Sequence, residues 1–120
     1  MKIETHIYNN TKIAELISDS LIISNIEDGT NLLGDLYFQG FNRVFIHKSN
    51  ITPEFFDLKT GIAGEILQKF STYRVRLAII GDFATSQSKS LKDFILESNK
   101  IGHINFVESE SEAINQLLRR

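Results

Sequence analysis

Leu77-Ala78-Ile79-Ile80 sets four apolar side chains in succession, with no polar residue to offer water on either side. Successive residues of a β-strand point to opposite faces, so a strand of this composition has to be covered on both. The run begins at Val75 and ends at Gly81-Asp82, and it reads as the central strand of a sheet sandwiched between other elements. A chain built around such a strand needs a layered architecture, and its flanking segments say which one.

Those segments alternate in period. Ile3, Thr5 and Ile7 alternate with Glu4, His6 and Tyr8, and Asn9-Asn10 then supplies a turn tolerant of positive φ. Thr11 to Ile17 and Leu21-Ile22-Ile23 follow, giving a hairpin or three short antiparallel strands. From about Asp28 to Gly40 the spacing of Leu32, Leu33, Leu36 and Tyr37 is helical, although Gly29 and Gly34 each weaken that helix by about 1 kcal/mol, so packing has to hold it. Val44-Phe45-Ile46 is a short buried strand. Thr52-Pro53 has the form of a cap followed by proline at the first helical position. Ile62, Ile66, Phe70 and Tyr73, with Ala63 and Leu67, make one stripe on a helix over about 61–73. A further helix spans about 88–99, with Leu91, Phe94, Ile95 and Ser98 facing inward. Ile104 to Val107 forms a last strand, and Ser109 with Glu112 makes a capping box before a final helix. Short strands alternating with helices predict an α/β fold: a single domain over 1–120 with a mixed sheet, N-terminal antiparallel strands and then β/α repeats joined by right-handed crossovers.

Composition removes whole classes of function. Apolar residues are 42% of the chain and charged residues 23%, which suits a globular domain. A net charge of −2 provides no basic field for nucleic acid or an anionic membrane. Cysteine is absent, and with it go disulfides, thiolate metal sites and cysteine nucleophiles; a reducing, cytoplasmic setting is the expectation. The first residues lack an apolar signal core, and no apolar run approaches the roughly 20 residues of a membrane span.

The stretch from Phe55-Phe56-Asp57-Leu58-Lys59-Thr60-Gly61 through Lys69-Phe70, then Tyr73 to Phe83 and Leu91 to Asn99, resembles the bacterial family catalogued as domain of unknown function 4180. That resemblance covers nearly the whole chain and implies no activity. The order of elements is also similar to the STAS fold of anti-sigma-factor antagonists, where a strand is followed by an Asp-Ser-Ser-Gly turn whose serine a partner kinase phosphorylates. Here Val44–Ile46 is followed by Asp57-Leu58-Lys59-Thr60-Gly61. One residue is extra, the first serine is missing, and a proline-containing insert precedes it. The resemblance therefore implies the fold more strongly than the switch.

Two places are candidates for function. Asp57, Thr60, Gly61 and Gly64 lie at a helix start, where exposed N–H groups favour an anion, including a phosphate on Thr60, and where glycine admits close approach. The plainer alternative is that Asp57 or Thr60 caps the helix and the glycines pack on the sheet. Asp82 lies where the strongest strand ends, the usual place for ligands in open α/β sheets, and the Thr85–Ser90 turn follows it with hydroxyls; ordinary turn chemistry explains the same residues.

His47 is the histidine to watch, at a strand end near Lys48 and Asn50. His6, His47 and His103 are too far apart for a metal site, and no cofactor motif or catalytic constellation is present. Lys69, Arg74 and Arg76 could form a small basic patch, or serve as solvated edge charges. Phe38, Phe41, Phe55, Phe56 and Phe83 read mostly as core, with Phe55-Phe56 able instead to line an interface; that pair and the modest charge are compatible with a homodimer.

Two functions follow. One is a non-catalytic regulatory or protein-interaction module of STAS-like architecture using the Asp57–Gly64 surface, with an unidentified protein partner. The alternative is a small-molecule-binding domain, or a weak enzyme, with a polar site at the strand ends.

Overall fold

The computed structural model describes residues 1–85 and 88–119. Five strands, β1 (Lys2–Tyr8), β2 (Thr11–Ile17), β3 (Arg43–His47), β4 (Arg76–Ile80) and β5 (Ile104–Val107), form one sheet in the order β1-β2-β3-β4-β5. β1 and β2 pair antiparallel, and every later neighbour is parallel. The hairpin turn holds Asn9 and Asn10 at φ 50° and 68°, the doubly left-handed geometry that the Asn-Asn pair allows. Four helices complete the fold: α1 (Ile26–Phe38), α2 (Ile62–Thr72), α3 (Lys89–Ile101) and α4 (Glu110–Leu118).

Sequential strand order has a consequence. Right-handed crossovers that always step the same way put their helices on the same face. Accordingly Leu16, Val44, Ile46, Leu77, Ile79 and Phe106 pack with Leu32, Leu36, Ile66, Phe70 and Phe94 from α1, α2 and α3. The opposite face, with Ile13, Phe45, Ala78, Ile80 and Val107, is covered by Ala113 and Leu117 of α4. β4 is thus an interior strand with both faces buried, as its composition requires.

Local chemistry sets the helix ends. Asn25 caps α1 by accepting from the Asp28 N–H at 2.8 Å, Ser88 caps α3 from Leu91, and Ser109 caps α4 from Glu112. The carbonyls at the end of α4 are held by arginines at the starts of two strands. Arg43 Nε donates to Leu117 O at 2.6 Å, and Arg76 donates to Leu117 O, Gln116 O and Arg119 O. Burial, and then the neighbouring Arg43 and Arg119, lower the Arg76 pKa from its ordinary value.

Several expectations are corrected. Leu21–Ile23 makes no strand, only a bridge from Ile23 to Ile51, because its backbone bonds go to Asn50 and Thr52. Thr52 makes no side-chain cap, and Pro53 opens a 3₁₀ turn instead of an α-helix. Tyr73 stands outside the core, half exposed with its ring 5.5 Å from Tyr37. Phe38 is 91% exposed on the outer face of α1, whereas Phe41 and Phe55 are buried, so Phe55 is not available to an interface. Lys69, Arg74 and Arg76 form no patch: Arg74 is in a left-handed turn after α2, Arg76 is spent on carbonyls, and Lys69 donates to Thr30 Oγ1.

The two glycines of α1 are not equivalent. A Cβ at Gly29 would lie 2.5 Å from Ile66 Cδ1 and 2.7 Å from Ile66 Cγ1, whereas one at Gly34 would meet nothing within 4 Å. Gly29 is therefore the contact that lets α2 close on α1. Gly34→Ala should raise stability by up to about 1 kcal/mol, the helix-propensity gain. Gly29→Ala should lower it by about 1–3 kcal/mol, the cost of overpacking. Urea unfolding of both variants checks the pair, and equal effects would refute the contact.

Candidate functional site

β3 and β4 run parallel with His47 opposite Ile80, so their carboxyl ends release the chain side by side. After β3 the connection to α2 is long. It passes through 3₁₀ turns at Lys48–Asn50, Pro53–Phe56 and Leu58–Thr60 before α2 begins. The space left over the strand ends is an open cleft of about 860 Å³. Its apolar wall is Leu21, Ile51, Pro53, Phe56 and Ile80, and its polar groups include His47, Lys48, Ser49 and Asp82. That volume and mixture fit a small-ligand site.

Gly81 and Lys48 shape the floor. A Cβ at Gly81 would sit 2.6 Å from Lys48 Cβ and 2.9 Å from its Cδ, so only glycine lets the lysine cross here. Lys48 Nζ donates to Asp82 O at 3.0 Å and lies 5.4 Å and 5.1 Å from the ring centres of Phe56 and Phe83, within cation–π range. Asp82 Oδ1 accepts the Ala84 N–H at 3.1 Å, folding the loop back on itself. Phe83 in turn packs edge-on to the buried Phe106 at 5.3 Å, which joins the cleft wall to the core.

The other wall depends on Asn50, a buried polar residue. Its Nδ2 donates to Ser18 O at 2.9 Å and Ser20 O at 2.8 Å, and its backbone carbonyl accepts from the Ile22 and Ile23 N–H groups. The 18–23 segment is thereby pinned against the β3–α2 connection, which places Leu21 over the cleft. Burial makes these bonds obligatory, since an unpaired amide there would cost about 1–3 kcal/mol.

Of the residues singled out from sequence, the structure brings His47 and Asp82 together in this cleft and sets Asp57, Thr60, Gly61 and Gly64 apart from it. Asp57 accepts the Lys59 N–H at 3.2 Å, and Gly61 is left-handed at φ 77° immediately before α2. Thr60 is exposed, with its hydroxyl 2.8 Å from Glu54 O and 2.9 Å from Asp57 O, and its oxygen accepts the Ile62 N–H at 3.3 Å. Close approach does not explain Gly61 or Gly64, because a Cβ at either would meet nothing within 4 Å. Gly64 instead borders a smaller groove of about 320 Å³ that also includes Leu67, Phe94, Ser98 and His103.

Ser86 and Gln87 of the serine-rich turn lie outside the described residues. Sequence reading missed Phe56, Ile51 and Leu21 as site residues. Gly81 directly after the strongest strand was the available signal for a close crossing.

Fold and cleft together define an α/β domain, its sheet covered on both faces, with an open crevice at the carboxyl ends of parallel strands. The chain belongs to the family described as domain of unknown function DUF4180, whose family model matches residues 8–117. No curated protein matches it. Among solved structures it is similar to a Thermotoga maritima protein provisionally described as an anti-sigma factor antagonist. The two share 15% identity over 98% of this chain and 95% of the other, with a TM-score of 0.49. No helix among the described residues is long and apolar enough to cross a membrane.

The Thr60 hydroxyl ties the helix-opening turn to Glu54, a residue of the same 3₁₀ turn that carries Phe56 into the cleft. Thr60→Val should cost about 0.5–1.5 kcal/mol, the net worth of such a bond, while Thr60→Ser should stay close to the parent. Denaturant midpoints of both variants test this, and a neutral valine would contradict it.

Proposed function

We propose that this chain is a non-catalytic regulatory module that binds a small organic anion in the strand-end cleft. The carrying observation is the convergence of Lys48 and His47 with an apolar wall of Ile51, Pro53 and Phe56 at the ends of β3 and β4. Lys48 has three N–H donors and spends one on Asp82 O, which leaves two for an anionic head. The wall can take an apolar body. Asp82 and Lys48 hold the loop through Ala84 and the Asp82 carbonyl, a use that suits a binding site more than a reacting one.

The Asp57–Gly64 surface is the second half of this reading. Thr60 bonds to the carbonyl of Glu54, within the segment whose Phe56 lines the cleft. A ligand that moves Phe56 therefore pulls on an exposed turn, and a partner protein reading that turn would sense occupancy. Asp57 and Thr60 are its polar contacts, and Gly61 and Gly64 leave room for the partner's backbone. A phosphate on Thr60 would remove the donated hydrogen bond and add nearly two negative charges, which would act on the same turn.

The experiment is a thermal-shift screen of small aliphatic and aromatic carboxylates and phosphates, with affinities of the hits measured by titration calorimetry. Lys48→Gln and His47→Ala should weaken the hits roughly 10–100-fold, the loss of a charged hydrogen bond. Thr60→Glu should leave ligand affinity within about twofold, well under that tenfold step, and alter capture of the partner. Hits whose affinity survives both cleft substitutions would overturn the assignment.

A further inference from the structure

We propose that His6, Glu15 and Glu110 form a binding site for a divalent transition-metal ion of the Zn²⁺ class. The donor atoms of these three side chains all lie within 4.8 Å of one another. They come from three separate elements, β1, β2 and the first turn of α4, which spacing along the sequence could not reveal. Donors about 2.1 Å from a shared ion stand about 3–4.2 Å apart. His6 Nε2 and Glu15 Oε1 are 2.8 Å apart, so a modest opening of that pair and a rotation of the exposed Glu110 side chain create the geometry.

Each donor is held by the fold. Strand register puts His6 opposite Ile13 and Glu15 opposite Glu4, so His6, Ile13 and Glu15 share the face that α4 covers. The His6 ring lies 6.0 Å from the buried Phe45 and 6.5 Å from Tyr8, which restrains its orientation. α4 carries Glu110 and is fixed at its far end by Arg43 and Arg76.

Charge points the same way. Glu4 and Glu15 are directly opposed across the hairpin, an arrangement that costs stability unless something positive sits between or beside them. Among the described residues no lysine or arginine forms an ion pair with Glu4, Glu15 or Glu110, and His6 pairs with Glu15 alone. One imidazole and two carboxylates, with water in the remaining positions, suit Zn²⁺ or Co²⁺, and the site makes no use of the strand-end cleft.

The test is titration of the full chain, without a histidine tag, with Zn²⁺ by calorimetry and with Co²⁺ by visible absorption. One ion per chain is expected, with a Co²⁺ spectrum of nitrogen and oxygen ligation, since the chain has no cysteine. Glu110→Gln, an exposed change that leaves the fold intact by circular dichroism, should weaken binding at least about tenfold, and His6→Gln should weaken it further. His103→Gln should leave affinity unchanged. Absence of one-to-one binding, or binding that survives both Glu110→Gln and His6→Gln, would show an ion pair only and overturn the proposal.

Discussion

The structure depends on burying β3 and β4 on both faces. Val44, Phe45, Ile46, Ala78 and Ile79 are all at 0% exposure, and no arrangement with a bare sheet face could accommodate them. Three crossover helices supply one cover. The other comes from α4 alone, a nine-residue helix whose own apolar stripe is short. Its position is made definite by Arg43 and Arg76, which stand at the starts of β3 and β4 and take up carbonyls that the helix end would leave unpaired. The same two strands therefore define the core, place the last helix and, at their other ends, open the cleft.

That cleft follows from how the chain leaves β3. α2 has to return across the sheet to begin β4, yet the connection makes successive 3₁₀ turns before the helix starts. Asn50 fastens this detour to the 18–23 segment, and Thr60 fastens it to α2. Gly81 removes the side chain that would otherwise fill the crossing point, and Lys48 occupies it with a cation braced by two rings and the Asp82 carbonyl. Polar satisfaction and one glycine thus convert an irregular connection into a shaped surface.

Much of this was legible from pattern. Leu77–Ile80 announced a doubly covered strand, the Asn9-Asn10 pair announced its turn, and Ser109 with Glu112 announced the last helix, because each signal is local. The site was only half legible. His47 and Asp82 could be placed at strand ends, but Leu21 reaches the cleft through tertiary bonds made by Asn50, and Ile51 and Phe56 through the irregular 3₁₀ connection after β3, and no periodicity encodes either. The cluster of His6, Glu15 and Glu110 was hidden for the same reason, since the two glutamates are nine and more than a hundred residues from the histidine. Phe38 misled in the opposite sense: apolar character alone does not say which side of a helix faces the sheet, and Leu32, Leu33 and Leu36 had already claimed that side.

The proposed function rests on ligand binding in the space over the ends of β3 and β4. Crystals soaked with mixtures of small carboxylates and phosphates test it most directly. Density for a bound molecule is expected between His47, Lys48 and Phe56, with its anionic group at the Lys48 ammonium. Repeated density in the α2–α3 groove beside Gly64, with the strand-end cleft holding solvent alone, would contradict it.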